Sequence, residues 1–401
     1  MTIRLHYRPA SASLALAILA ALSLETRAED KLAKRVEEHL AQPHFKTAHW
    51  GFLFVDLKTG EVIIERNSEK LFVPASTTKL FSTAAALDAL GGDYRFHTPI
   101  YRRGSVDDNG RLDGDLILVA SGDLTLGGRT TEKGEIAFQD TDHIYANWSP
   151  DAKLTTQDPL AGIHELAKKV AASGIRKVRG DVLIDDRLFT HIEGSGSGPQ
   201  VVTPIMVNDN VLDFSFDPTE PGQPAKTTWR PHTALFNVHF DVQTVKENDP
   251  LETHIRHTGD GHIRVTGKIP ANKSHLVRIG EVPDAAAFAR AVLIESLRKH
   301  GVDVSAELSQ KHPTKSLPDH DKYHDLTKVA ELVSPPFAEN AKVVLKVSHN
   351  LHASALPLLV AVKHGKHSIN EGMKFEREFL AKSGVDVDTI SFGGEIGRAH
   401  V

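Results

Sequence analysis

The sequence predicts an α+β protein in which a helical unit is interrupted by a long, mostly β insertion. Residues 95–280 are dense in short strand-like runs and turn signals, whereas the chain before about 92 and after about 316 turns to helical patterns. With 401 residues, 40% of them hydrophobic and 25% charged, the chain has an ordinary globular composition, and its length suits about two or three domains.

The elements follow in order. Met1–Arg8 is basic, Ser13–Leu24 is apolar, and Thr26-Arg-Ala28 is a small-residue cleavage site. That layout predicts a cleaved secretory signal over 1–28 and export to the periplasm. The apolar run is shorter than the roughly twenty residues that span a bilayer, so no stable membrane span is expected. Asp30–Leu40 reads as an amphipathic helix. Gly51–Leu57 and Glu61–Glu65 are strand-like runs around Lys58-Thr-Gly60, which reads as a hairpin turn. A helix is predicted after Pro74, with Leu80, Ala84 and Leu87 and the small Ala85 and Ala86 forming its buried stripe; Gly91-Gly92 ends it. Within the insertion, Asp158–Ala172 and Asp284–Lys299 read as helices, and Gly194–Pro199 as a flexible loop.

Composition narrows function. A net charge of −5 gives nothing that would draw nucleic acid. The chain has no cysteine, which removes disulfides, thiolate zinc sites, cysteine nucleophiles and a lipoprotein anchor. The 23 histidines raise the question of a metal. His320 and His324 lie in a polar, proline-punctuated loop, and His254, His257 and His262 flank the turn Gly259-Asp-Gly261. Neither group reads as a metal site, so no metal and no cofactor are expected.

The chemistry sits in Ser76-Thr-Thr-Lys79. Residues three apart on a helix are neighbours, so Lys79 can reach Ser76. A serine hydroxyl needs such a base, and a lysine serves if burial lowers its pKa. The alternative is that Ser76 only caps the helix. A second copy of the spacing, Ser296-Leu-Arg-Lys299, falls late in a long helix and reads as surface decoration. Far downstream, Ser348-His-Asn350 follows the apolar run Ala341–Val347; Ser368-Ile-Asn370 repeats that pattern in a polar context.

S-x-x-K followed by S-x-N is the motif order of penicillin-binding proteins and class A β-lactamases. With Val73–Leu80, Val119–Leu126, Val178–Asp185 and Val347–Leu351, the chain resembles a class C low-molecular-mass penicillin-binding protein, a D-alanyl-D-alanine carboxypeptidase/endopeptidase that is C-terminally truncated. The resemblance implies a penicillin-binding-protein/β-lactamase-like transpeptidase domain, helices packed on an antiparallel sheet, with a large mostly-β insertion after the nucleophile helix. The expected division is a signal over 1–28, a catalytic part with the nucleophile helix over 29–92, inserted domains over 93–315 and a second catalytic part over 316–394.

Two departures stand out. His349 occupies the middle of the S-x-N motif. The third motif, K-T-G, is absent after Asn350, since the Lys-Thr-Gly at 58–60 precedes the serine. Val385–Gly393 resembles the strand that in relatives runs on into a glycine-rich segment. Glu395–Val401 matches the translation of a common sequencing-adapter read, so 395–401 is expected to be a non-native tail and the C-terminal strands to be missing.

The resemblance implies that Ser76 attacks the D-Ala-D-Ala peptide bond and Lys79 takes its proton. Ser348 would relay a proton to the leaving amine, and Asn350 would hydrogen-bond Lys79 and the substrate amide. Asp123, in Ser121-Gly-Asp-Leu-Thr125, is a candidate substrate-binding residue, with a turn contact as its alternative. Peptidoglycan stem peptides are the expected partners and β-lactams the expected acylating inhibitors. Lacking the K-T-G strand, the chain as it stands is expected to be inactive. A β-lactamase, or a non-catalytic peptidoglycan-binding protein, stays open.

Overall fold

The computed structural model describes residues 31–194, 196–309 and 316–390. The expected signal, the tail at 395–401 and residues 391–394 lie outside them. Two compact units emerge, Met1–Val73 and Pro74–Val401.

The first unit holds helix α1 (residues 31–40) and the antiparallel hairpin of β1 (Phe52–Val55) and β2 (Val62–Arg66). Lys58-Thr-Gly60 is the turn between them, as expected. The Asp56 carboxylate accepts from Lys58 N and Thr59 N at 2.7 and 3.1 Å, and Gly60 supplies a φ of +76° that a side chain would resist. Arg66 ties the hairpin to α1 by bonding Glu37 at 2.5 and 2.6 Å.

The second unit opens with helix α2 (Thr78–Leu90), ended by Gly91 at φ +92°. The chain then enters a mixed sheet. Strands β3 (His97–Val106) and β4 (Arg111–Val119) form a hairpin; β5 (Lys177–Val178) and β6 (Val182–Asp185) join β4 in parallel. The parallel pairing is reached through helix α3 (Ala161–Ala172), which crosses over between β4 and β5. Asp158 and Pro159 precede that helix as an entry turn, so it starts later than expected.

After the short pair β7 (Ile192–Glu193) and β8 (Val201–Val202), two further three-stranded sheets complete the insertion. One has the order β10 (Lys226–Arg230), β9 (Val211–Asp217), β14 (Leu276–Glu281). The other has β11 (Asn237–Val245), β13 (His262–Pro270), β12 (Glu252–Gly259). Gly259-Asp-Gly261 turns β12 into β13 with all three residues at positive φ. Helix α4 (Ala285–Lys299) packs on α3 and β6, and β15 (Asp303–Val304) pairs with β5. One core runs through all of this, from Ile100 and Leu116 to Phe214, Val265, Phe288 and Leu297.

The return to helices comes later than expected at 316. Strand β16 (Thr327–Val333) pairs antiparallel with β3, and Ala330 and Leu332 enter the core of the insertion. The chain leaves that sheet at Ser334, whose hydroxyl accepts from Phe96 N at 2.9 Å. Helices α5 (Phe337–Lys346), α6 (Asn350–Lys363) and α7 (Ile369–Lys382) follow and pack with α2. Their separate core contains Ala86 of α2, Phe337 and Val344 of α5 and Leu351, Leu356 and Leu359 of α6. The architecture is thus α+β. Among the described residues no helix is long and apolar enough to cross a membrane.

Two expectations fail locally. The buried face of α2 is Lys79, Ser82, Thr83, Ala85 and Ala86, while Leu80 is 57% exposed and Ala84 also faces out. The helix is rotated so that its polar side meets the other helices. Val385–Ile390 forms no strand. Asp386 instead gathers a turn, its carboxylate accepting from Asp388 N and its carbonyl from Thr389, with Arg377 holding Asp388.

Candidate active site

Ser76 lies in the one-turn 3-10 segment Ala75–Thr77 that leads into α2, and Ala75 before it adopts a left-handed φ of +45°. Such a conformation in a residue with a Cβ costs on the order of 1–3 kcal/mol and is concentrated at functional sites. Ser76 does not cap the helix; its exposed hydroxyl instead accepts from Lys79 Nζ at 3.0 Å. Lys79 is only 7% exposed and has no carboxylate partner among the described residues. Burial pulls its pKa down to about 8. A nucleophile facing solvent beside a base held out of it is the arrangement that serine activation requires.

The same spacing at Ser296 and Lys299 yields no such pair. Ser296 is buried, correcting its reading as surface decoration, and its hydroxyl is 2.6 Å from His164 Nδ1, while Lys299 points outward.

Further along α2, Ser82 donates to Glu376 of α7 at 2.8 Å. Glu376 is 1% exposed, and burial pushes its carboxyl up to about 7. Nothing in the sequence singled it out.

Ser348 and Asn350 sit at the junction of α5 and α6, and α2 packs against both helices. Packing therefore gathers the elements that carry both motifs. Among the described residues no hydrogen bond joins Ser348 or Asn350 to Ser76 or Lys79. Ser348 has a left-handed φ of +58°, and the Tyr145 hydroxyl donates a short hydrogen bond to its carbonyl. His349 caps α6, its Nδ1 accepting from His352 N at 3.3 Å, and Asn350 begins the helix, 9% exposed. The other S-x-N copy is a helix cap, with Ser368 exchanging bonds with Glu371 N and its carboxylate.

Asp123 is 2% exposed. One carboxylate oxygen accepts from Thr125 N at 3.0 Å and Leu126 N at 3.1 Å, which is the turn contact weighed against substrate binding; the other has no partner. Burial raises its pKa against these hydrogen bonds.

The sequence reading missed a buried polar network next to His349. Arg129 grips Asp142 at 2.6 and 2.9 Å and Asp209 at 2.6 Å. His143 bridges Asp209 at 2.7 Å and Asp213 at 2.6 Å, and Arg230 reaches Asp213 at 3.0 Å. His352 bonds the other oxygen of Asp209 at 2.7 Å. Burial opposes charge on His143, but Asp213 and Asp142 hold its pKa up at about 10; burial and His352 push His349 down to about 4. The legible signal was the three-residue spacing of His349 and His352 at a helix start. The histidine groups considered instead, at 320–324 and 254–262, are exposed, and among the described residues neither converges on a common point.

Comparison with known proteins agrees with the motifs. The profile of a family described as the D-Ala-D-Ala carboxypeptidase 3 (S13) family matches residues 32–393. A D-alanyl-D-alanine carboxypeptidase from Actinomadura sp. (strain R39) is 26% identical over 390 residues, covering 92% of this chain and 65% of that protein. The D-alanyl-D-alanine carboxypeptidase DacB of Haemophilus influenzae is 23% identical over 363 residues, covering 86% and 65%. The chain thus spans about 65% of the length of these relatives. The crystal structure of penicillin binding protein 4 (dacB) from Haemophilus influenzae superposes with a TM-score of 0.58 at 21% identity, over 86% of this chain and 68% of that one. Its complex with a novel β-lactam gives 0.57 at 20% identity, over 83% and 66%.

Proposed function

Because the chain belongs to the D-Ala-D-Ala carboxypeptidase 3 (S13) family, we propose that it is the larger part of a serine-type D-Ala-D-Ala carboxypeptidase/endopeptidase. It acts in the periplasm on peptidoglycan stem peptides and is acylated by β-lactams. The observation that carries this reading is the 3.0 Å contact between exposed Ser76 Oγ and buried Lys79 Nζ.

Neutral Lys79 takes the proton from Ser76 as Oγ attacks the carbonyl of the terminal peptide bond. The tetrahedral oxyanion is held by the Ser76 N–H. The leaving amine of D-alanine receives a proton through Ser348, while Asn350 orients Lys79 and the substrate amide. Water then hydrolyses the acyl-enzyme. A second oxyanion donor is worth about 10²–10³ in rate, and in this chain no Lys-Thr-Gly follows Asn350 to supply one. The 401-residue chain alone is therefore expected to turn over poorly.

The test is fluorescent-penicillin labelling of the protein encoded by the complete genomic frame, re-sequenced across the codon for Gly394, beside its Ser76→Ala variant. Stable label on the parent and none on the variant supports the peptidase. Transient label points to a β-lactamase, and no label to a binding protein without catalysis. Label retained by Ser76→Ala overturns the assignment of the nucleophile.

A further inference from the structure

The network beside the S-x-N motif contains donors that its hydrogen bonds leave unused. His349 and His352 are both fully buried, and their rings stack at 3.6 Å with an 18° tilt. His349 Nδ1 accepts a long bond of 3.3 Å from the backbone, which places the proton of the neutral ring on Nε2; Nε2 offers a lone pair once that proton moves to Nδ1 and the backbone bond is given up. That Nε2 has no hydrogen-bond partner. It faces Asp209 Oδ2 at 3.6 Å and Asp142 Oδ1 at 3.9 Å. Across the same carboxylates, His143 Nε2 stands 3.6 Å from Asp142 Oδ1. These separations are too long for hydrogen bonds, yet close to the edge of about 3.3 Å that bonds of about 2.0–2.1 Å set in a tetrahedral nitrogen and oxygen shell.

Potential ligand atoms of Asp209, His349 and His352 lie within 4.8 Å of one another, as do those of Asp142, His143 and Asp209. Asp142, Asp209 and Asp213 are gathered by Arg129, Arg230 and His143, and Asp209 also by His352. Buried Asp123 also presents a carboxylate oxygen without a partner.

We propose that Asp209, His349 and His352, flanked by Asp142 and His143, bind a divalent transition-metal ion of the zinc class. Imidazole and carboxylate are the donors such an ion takes where thiolates are absent. Arg129 would orient the two carboxylates from outside the shell. The ion would pin the start of α6 to residues 142–143 and 209 of the insertion, and so hold the loop that carries Ser348 and Asn350.

The experiment uses the purified 401-residue chain. Elemental analysis after dialysis should find about one equivalent of zinc, or zinc chloride added to chelator-treated protein should bind at one equivalent and raise Tm. Cobalt(II) in its place should give visible d–d bands. His349→Gln and His352→Gln should each weaken zinc binding by at least about 100-fold, whereas His320→Ala/His324→Ala, on an exposed segment, should leave it unchanged. The proposal is overturned if the wild-type chain shows no stoichiometric metal, no cobalt bands and no zinc-dependent Tm. It is equally overturned if the glutamine variants bind as the wild type does. Should those variants fail to fold, the cobalt spectrum and zinc-dependent Tm of the wild type decide.

Discussion

Lys79 Nζ and Ser76 Oγ stand 3.0 Å apart across a boundary between solvent and core, the serine exposed and the lysine 7% exposed. The asymmetry gives the pair its chemistry, because burial lowers the lysine's pKa to about 8 without a carboxylate to raise it again. Acylation of Ser76 by penicillin should therefore rise with pH and level off above an apparent pKa near 8. Lys79→Arg, which keeps the charge and cannot give it up, should slow acylation by about 10²–10⁴-fold at all pH values. A profile flat between pH 6 and 9 in the wild type would remove Lys79 as the base.

The same burial predicts a stability effect. The folded pKa lies below the 10.5 of a free lysine, so between about 8 and 10.5 the unfolded chain binds more protons. Stability from this group thus rises with pH across that window, and the full penalty applies below it. Lys79→Met should stabilise the fold at pH 7 by on the order of 1–2 kcal/mol, as seen in urea melts, while abolishing acylation.

Glu376 gives the opposite sign. Its carboxyl is pushed up to about 7 by burial, from a reference of 4.5. Between those values the folded state holds a proton that the unfolded state has lost, so stability falls as pH rises from 4.5 to 7. Glu376→Gln can still accept from Ser82 and carries no charge. It should match the wild type near pH 4.5 and exceed it by on the order of 1–2 kcal/mol at pH 8. Equal pH dependence in both proteins would show that Glu376 ionises freely.

Local pattern made the hairpin, the turn at Lys58-Thr-Gly60 and the helix after Pro74 legible, because each rests on neighbours in sequence. The Ser76–Lys79 contact was legible for the same reason. The face that α2 buries was not, because it is set by α5, α6 and α7, and they accept Lys79 and Ser82 where periodicity favoured Leu80. The parallel pairing of β4 with β5 and β6 and the late return at β16 depend on long-range register that no local signal carries. The network around Asp209 was hidden for a related reason. Arg129, Asp142, His143, Asp209 and His352 each read as ordinary polar residues until folding places them in one buried pocket.

Tyr145 links that pocket's neighbourhood to the second motif. Its hydroxyl is the donor to the carbonyl of Ser348, whose left-handed φ of +58° is unfavourable for a residue with a Cβ. Tyr145→Phe keeps the ring and removes the hydroxyl, and with it the bond to Ser348 and the one shared with Ser197. The loop should then relax, with a loss of about 1 kcal/mol in urea melts and an acylation rate lower by roughly 10-fold. Ser348→Ala keeps the backbone bond and removes the hydroxyl, so it should leave stability within about 0.5 kcal/mol while slowing acylation by about 10²-fold. The two variants separate positioning from proton transfer. If Tyr145→Phe loses stability with no change in acylation, the conformation of Ser348 does not set the rate. If Ser348→Ala is acylated as fast as the wild type, the proton reaches the leaving group by another route.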